Sequence, residues 1–328
     1  MSRGEKLLMM AGVIVPFLAT ILAIVLMWGN GVDWLDLAIA AGLYVVGQLG
    51  ITIGYHRMLT HKSFEAKEWV KVFWASAGSL ALQGAPSEWV ADHRQHHAYT
   101  DVPGDPHSPH LHGDGYWGSL RGLFHAHVGW LWDTREMADT DRFARDVMED
   151  KWLRRVSRYY AFFFLASFGI PFALGYIFGG TLDAALTALL WGGFVRIFLG
   201  HHFTWSINSI CHVFGSRPFA VEETDLATNF PLLAIPSMGE AWHHNHHAFP
   251  RSAYHGLKWY QVDPSKYVIK GMEKLGLIWN VVVISPERQE EKLLANGAVR
   301  PQPRHRPAPE AEEAATFVQP ESSPAGLA

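Results

Sequence analysis

Only one cysteine, Cys211, occurs in 328 residues. A lone thiol closes no intrachain disulfide, and it cannot supply the four thiolates of a ferredoxin-type cluster. Any electrons this chain uses would therefore come from another cofactor or another protein. Charge is sparse as well. Asp, Glu, Lys and Arg make up 18 % of the chain and leave a net charge of −4, which excludes the basic face that nucleic-acid binding requires. Internal repeats are lacking too. Against these shortages stand an apolar share of 49 %, 14 tryptophans and 19 histidines.

The apolar residues are bunched. Residues 7–28 and 159–180 carry no charge, 34–54 carry only Asp36, and 181–200 carry only Asp183 and Arg196. Each run is close to the ~20 helical residues that a bilayer core requires, which predicts four transmembrane helices in two hairpins. The first run is too long for a signal peptide and no small-residue cleavage site follows it, so it is read as a span. Arg3 and Lys6 precede the first span; Arg57, Lys62, Lys67 and Lys71 follow the second; Arg154, Arg155 and Arg158 precede the third. The opposite loops lack basic residues, which predicts both termini and the polar segments 55–158 and 201–288 on the cytosolic side. Within the first segment, residues 69–82 space apolar side chains like a short interfacial helix. Pro86 and Ser87 read as a break and an N-cap for the next helix, and a further helix is expected at about 266–275. The membrane unit spans 1–288. Pro, Ala, Glu, Gln and Ser dominate beyond it, so 289–328 reads as a disordered tail.

The histidines gather on the cytosolic side of these runs. One box is GYHRMLTH, with His56 and His61; a second is DHRQHH, with His93, His96 and His97; a third is EAWHHNHH, with His243, His246 and His247. His212 stands apart in SINSICH, one helical turn after Asn208. Imidazole is the commonest side-chain metal ligand. A helix advances about 100° per residue, so the H-x-x-H-H spacing puts three imidazoles on one face, twice. His56 and His61 would lie about 140° apart on a regular helix. The box follows Gly54 at the membrane exit, where the helix can stop; the expectation is that the helix ends between the two histidines and that they serve different ions.

Nine imidazoles exceed what one ion needs, since four to six ligands suffice, and the count fits two ions. Imidazole suits Fe, Zn and Cu alike, so the element is left open by the residues. Asp92, Asp101, Asp105, Glu222, Glu223, Asp225 and Glu240 are candidates to accept the second ring N–H of a ligating histidine. Isolated histidines such as His107, His110, His125, His127, His201, His202 and His255 read as caps or fold supports. His244 lies off the repeated spacing and is set aside.

GYHRMLTH, DHRQHH with the following YTD and DPH, NSICH, and GEAWHHNHHAFP with the stretch from Trp259 to Asp263 together resemble the membrane-bound Δ9 acyl-CoA desaturases, most closely the bacterial ones. The resemblance covers roughly 35–280. It implies an all-α integral membrane protein of four transmembrane helices under a cytosolic helical cap, in the bacterial cell membrane. It also implies a di-iron centre held by His56, His61, His93, His96, His97, His212, His243, His246 and His247, with Asn208 holding a metal-bound water. Gln83, Trp89, Thr204 and Trp205 match residues that line the acyl tunnel of that family. The implied activity is O₂-dependent insertion of a cis double bond into a saturated acyl chain, with acyl-CoA as substrate. No cytochrome-b5-like domain is visible, so the implied electron donor is separate: a ferredoxin, a rubredoxin, a cytochrome-b5-like protein or a flavin reductase. Two other readings compete. A hydroxylase of alkyl chains would use the same kind of centre, although the Asn208/His212 pair and the wording of the third box favour desaturation. A metal transporter would carry its ligands near the membrane midplane, where these do not lie.

Overall fold

The computed structural model describes residues 3–27, 32–132 and 138–293. Fourteen helices follow one another among these residues: α1 Arg3–Met27, α2 Trp34–Leu49, α3 Glu68–Ser79, α4 Pro86–Ala98, α5 Gly115–His127, α6 Thr140–Phe143, α7 Arg145–Glu149, α8 Lys151–Arg158, α9 Tyr160–Gly179, α10 Leu182–Ala188, α11 Arg196–Ser209, α12 His243–Ala248, α13 Pro264–Lys274 and α14 Pro286–Lys292. The sheet is minimal. β1 Glu65–Ala66 pairs antiparallel with β2 Ile278–Trp279, Glu65 opposite Trp279, and clips the end of the cap to the start of α3.

Among the described residues, four helices are long and apolar enough to cross a membrane: Met9–Met27, Trp34–Thr60, Tyr160–Gly179 and Leu182–His212. The second runs further than the apolar span 34–54, and the fourth runs past 200 to carry Asn208 and His212. The second does not stop at Gly54. It runs on as a π-helix over Gly50–Thr60. The fourth passes through a π segment, Leu189–Val195, into α11 and a final 3₁₀ turn, Ile210–His212. Both therefore carry their histidines on the same rigid rods that span the apolar layer. A capping box starts the second helix, where Asp33 accepts from Asp36 N–H and Asp36 answers Asp33 N–H.

The polar residues inside the spans are paired, as an apolar surrounding demands. Arg196 is buried and donates to the carbonyls of Gly192 (2.7 Å), Leu80 (2.8 Å) and Ser167 (3.1 Å) and to Ser167 Oγ (2.6 Å). Gln48 donates to Gly200 O at 2.9 Å, tying the second span to the fourth.

Residues 69–82, read as a short interfacial helix, form α3, which packs against the π segment. Val70, Trp74, Ala75, Ala77 and Gly78 are buried there, while Trp69 and Phe73 stay exposed. Gly54 permits this contact and does not end a helix: a Cβ there would meet Trp74 O at 2.7 Å. Pro86 is the first residue of α4, not a break before it. Its missing N–H costs nothing at that position, and Glu88 accepts the N–H of Ala85 at 3.0 Å, so Ser87 is not the cap. The packed chain also extends past 288. Ser285 caps α14 by accepting Arg288 N–H, Gln289 is buried, and Lys292 Nζ donates to Ala248 O at 2.8 Å. Residues 294–328 of the expected tail lie outside the described residues.

Candidate metal centre

The π segment decides the geometry of the first box. A π-helix bonds i to i+5, and His61 N–H donates to His56 O at 3.1 Å. Residues five apart therefore share a face, and the His56 and His61 rings lie 4.9 Å apart. The expectation that these two serve different ions is overturned: they belong to one group.

The nine imidazoles form two groups. His56, His61, His93, His97 and His246 bring one nitrogen each within 4.8 Å of one another, and His96, His212, His243 and His247 do the same. In the first, His97 Nε2 stands 3.1 Å from His93 Nε2 and 2.9 Å from His246 Nε2, and His56 Nε2 is 3.0 Å from His246 Nε2. In the second, His243 Nε2 lies 3.0 Å from His212 Nε2 and 3.1 Å from His247 Nε2, and His96 Nε2 is 3.4 Å from His247 Nε2. The second and third boxes each divide between the groups. On α4 the i, i+4 pair His93/His97 joins the first group and His96 the second. On α12 His243/His247 joins the second and His246 the first.

Four rings turn their Nδ1 outward to a carboxylate. His96 faces Asp105 at 2.9 Å, His212 faces Asp101 at 2.9 Å, His247 faces Asp225 at 2.9 Å, and His56 faces Glu240. A carboxylate on one ring nitrogen fixes the tautomer and leaves the lone pair of the other free for a cation. Each carboxylate is itself anchored. Asp101, whose φ is +58°, also accepts from Ser108 Oγ and Leu226 N–H. Asp105 also accepts from the N–H groups of Asp101 and His107. Glu240 is held by Arg57, which Asp263 pairs from the other side. The remaining carboxylate candidates do not reach the groups: Asp92 accepts from Ala138 N–H, and Glu222 and Glu223 are exposed.

The electrostatics favour the neutral ring at six of the nine histidines. Burial lowers the pKa of His61, His93, His97, His243, His246 and His247 well below the ordinary histidine value. For Asp105, burial alone would raise the pKa, but the neighbouring His96 more than offsets it and the carboxyl stays ionised. Neutral imidazole is the protonation state that metal binding needs. His61 Nε2 is buried and has no hydrogen-bond partner. Convergent lone pairs cannot all satisfy one another, whereas a shared cation satisfies them together. The donor set thus fits a metal ion in each group, and its mostly nitrogen character fits iron among others.

The fatty acid desaturase pattern matches residues 32–276. The chain belongs to the fatty acid desaturase family. A hex-5-enoyl-(acyl-carrier protein) acetylenase from Moorena producens is 40 % identical over 284 residues, 86 % of this chain and 88 % of the relative. A Delta-9 acyl-lipid desaturase 1 from Arabidopsis thaliana is 38 % identical over 258 residues, 78 % of each chain. An sn-1 stearoyl-lipid 9-desaturase from Anabaena variabilis is 38 % identical over 251 residues, 76 % of this chain and 85 % of the relative. The family acts on fatty acyl chains in membranes, and the oxidoreductase reading follows from it.

Of the four residues expected by resemblance to line a tunnel, Trp89 lies against the five-histidine group, while Gln83, Thr204 and Trp205 meet residues outside both groups. Gln83 Nε2 donates to Thr204 Oγ1 at 2.9 Å, joining the α3–α4 turn to α11. Trp89 stacks on His93 with ring centroids 5.0 Å apart. Trp205 is buried and meets His201 at 5.0 Å. Asn208 sits on the last turn of α11, half-buried. His244 stays out of both groups: its Nδ1 and Nε2 face the carbonyls of Ala227 (2.9 Å) and Phe219 (3.0 Å).

Sequence reasoning missed three buried residues. His107 packs on His96 at 4.4 Å, His255 packs on His246 at 4.6 Å, and Arg57 holds Glu240. Arg57 adjoins His56 in the chain, which was the available signal. Nothing in the spacing of His107 or His255 marked them out.

Proposed function

We propose that this protein is an O₂-dependent fatty acyl desaturase that introduces a cis double bond at the Δ9 position of a saturated acyl chain. The observation that carries the reading is the pair of imidazole groups, five and four, at the ends of two membrane-length helices. His56, His61, His93, His97 and His246 would hold one iron; His96, His212, His243 and His247 would hold the other, with Asn208 supporting a bound water. When bound, the two irons would supply reductive activation of O₂, so that one O₂, two electrons and two protons, together with two hydrogens from adjacent methylenes, end as two waters. The chain's own residues do the rest. Asp101, Asp105, Asp225 and Glu240 hold the rings in the metal-binding tautomer. Gln83, Trp89, Thr204 and Trp205 would line the path of the acyl chain, where position and not polarity selects the reacting carbons.

The Δ9 position draws support from the two relatives named as 9-desaturases. The carrier is proposed as CoA. The Lys and Arg distribution supports a cytosolic centre and cytosolic termini in a bacterial membrane, with a separate donor delivering electrons from that side. The test is turnover of a stearoyl chain offered as CoA thioester, carrier-protein thioester and phospholipid, with iron loaded and a reductase–ferredoxin pair supplied. A monounsaturated product with the bond at carbon 9 is expected, made from the CoA thioester. An added oxygen in the product would overturn the desaturase reading, and a bond elsewhere would overturn Δ9.

A further inference from the structure

His255 sits in the loop between α12 and α13, 1 % exposed. Its backbone is pinned twice. Its N–H donates to Asp263 Oδ2 at 2.9 Å, and its carbonyl accepts from Asn245 Nδ2 at 2.9 Å. Asp263 pairs Arg57, next to His56, and Asn245 stands next to His246. The ring is thereby held against both, with centroids 5.2 Å from His56 and 4.6 Å from His246. Yet neither of its ring nitrogens has a hydrogen-bond partner. An unpaired buried polar group is costly; His244, by contrast, has both ring nitrogens bonded to backbone.

The nearest group that can relieve His255 is Glu240. His255 Nδ1 lies 3.6 Å from Glu240 Oε2, and His56, Glu240 and His255 place one ligand-capable atom each within 4.8 Å of one another. Closing that gap to hydrogen-bond length needs a shift of roughly half an ångström. We propose that His255 is a positioning residue of the five-histidine group, its Nδ1–H sharing the Glu240 carboxylate with His56 so that this carboxylate is clamped between two imidazoles and Arg57. His56 and the His246 ring packed on His255 are then held where an ion requires them. The proposal rests on the two-iron reading above.

The experiment compares the full-length wild type with His255→Leu, which keeps the bulk, and His255→Gln, which keeps an N–H donor. Each is loaded anaerobically with ferrous ⁵⁷Fe. Iron affinity is measured by chelator competition, and the two iron environments are followed by Mössbauer spectroscopy. In His255→Leu, one iron should bind about 10–100-fold more weakly, the usual effect of removing an outer-shell partner, with one of two spectral components altered. His255→Gln should stay within about threefold of wild type. Wild-type affinity in His255→Leu would overturn the proposal, and so would equal losses in Leu and Gln, which would mean packing alone. Should His255→Leu fail to fold, Glu240→Gln is expected to weaken the same iron, and adding His255→Gln to it should weaken that iron no further; unchanged affinity in Glu240→Gln would overturn the clamp. A wild type that holds no iron sinks the two-iron reading and this inference with it. A wild type with two irons, matched by His255→Leu, sinks the inference alone.

Discussion

Gly50→Ala tests whether the centre depends on the π-helical path of the second span. Gly50 lies where that segment meets α3. A Cβ placed on it would stand 2.1 Å from Gly78 N, 2.4 Å from Ala77 C and 2.7 Å from Gly78 Cα. Carbon contacts settle near 3.5–4.0 Å, so the two backbones would have to part by roughly 1.4 Å. Neither can yield as a flexible side chain would, because both are buried helix backbone. Overpacking of this kind costs about 1–3 kcal/mol, and backbone-on-backbone contact puts it at the upper end. His56 is six residues further along the same rod, and a binding constellation tolerates only about 0.5 Å of displacement. The expected result is a lower melting temperature in detergent together with weaker iron binding in the five-histidine group and loss of desaturation. Gly42→Ala is the control in the same helix. Its added Cβ meets nothing within 4 Å, and replacing glycine inside a helix gains about 0.5–1 kcal/mol, so it should melt no lower than wild type. Equal melting and equal iron content in the two variants would refute the argument.

Asp105→Asn removes the charge behind His96 and should weaken the iron held by the four-histidine group about 10–100-fold, read by chelator competition; Asp92→Asn, whose carboxyl faces Ala138 N–H, should leave both affinities near wild type. Arg57 is fully buried between Glu240 and Asp263, so Arg57→Leu strands two carboxylates and should destabilise the fold by about 3–5 kcal/mol, measured by thermal unfolding. Burial alone would raise the Asp146 pKa, but hydrogen bonds from Arg94 and Lys62 bring it from 3.8 to about 2. A carboxyl that ionises more readily when folded stabilises above its unfolded pKa and loses that contribution as pH falls. The melting gap between wild type and Asp146→Asn should therefore narrow from pH 4 toward pH 2, and a gap that widens would contradict the sign.

The parts of this fold that were legible in the sequence are those set by local chemistry. Apolar runs of spanning length, with at most two charges each, mark the four membrane helices, and imidazoles at i, i+3 and i+4 mark the faces of α4 and α12. The parts that escaped depend on tertiary contact. Five-residue spacing means opposite sides on an α-helix and the same side on a π-helix, and the residue types in GITIGYHRMLT do not choose between them. The choice is made by packing: Gly50 and Gly54 let α3 approach closely, and the i to i+5 ladder then brings His56 and His61 together. The division of the H-x-x-H-H boxes has the same origin. An α-helix presents i and i+4 almost in line and i+3 to one side, so a helix lying between two ions offers a pair to one and a single ring to the other. α4 gives its pair to the first group and α12 gives its pair to the second, so two copies of one local motif supply three imidazoles to each; His56 and His61 bring the first to five and His212 brings the second to four. The division of each box between the groups predicts that His93→Ala and His243→Ala weaken different irons, with distinct Mössbauer components lost; a common loss would mean that the groups act as a single site.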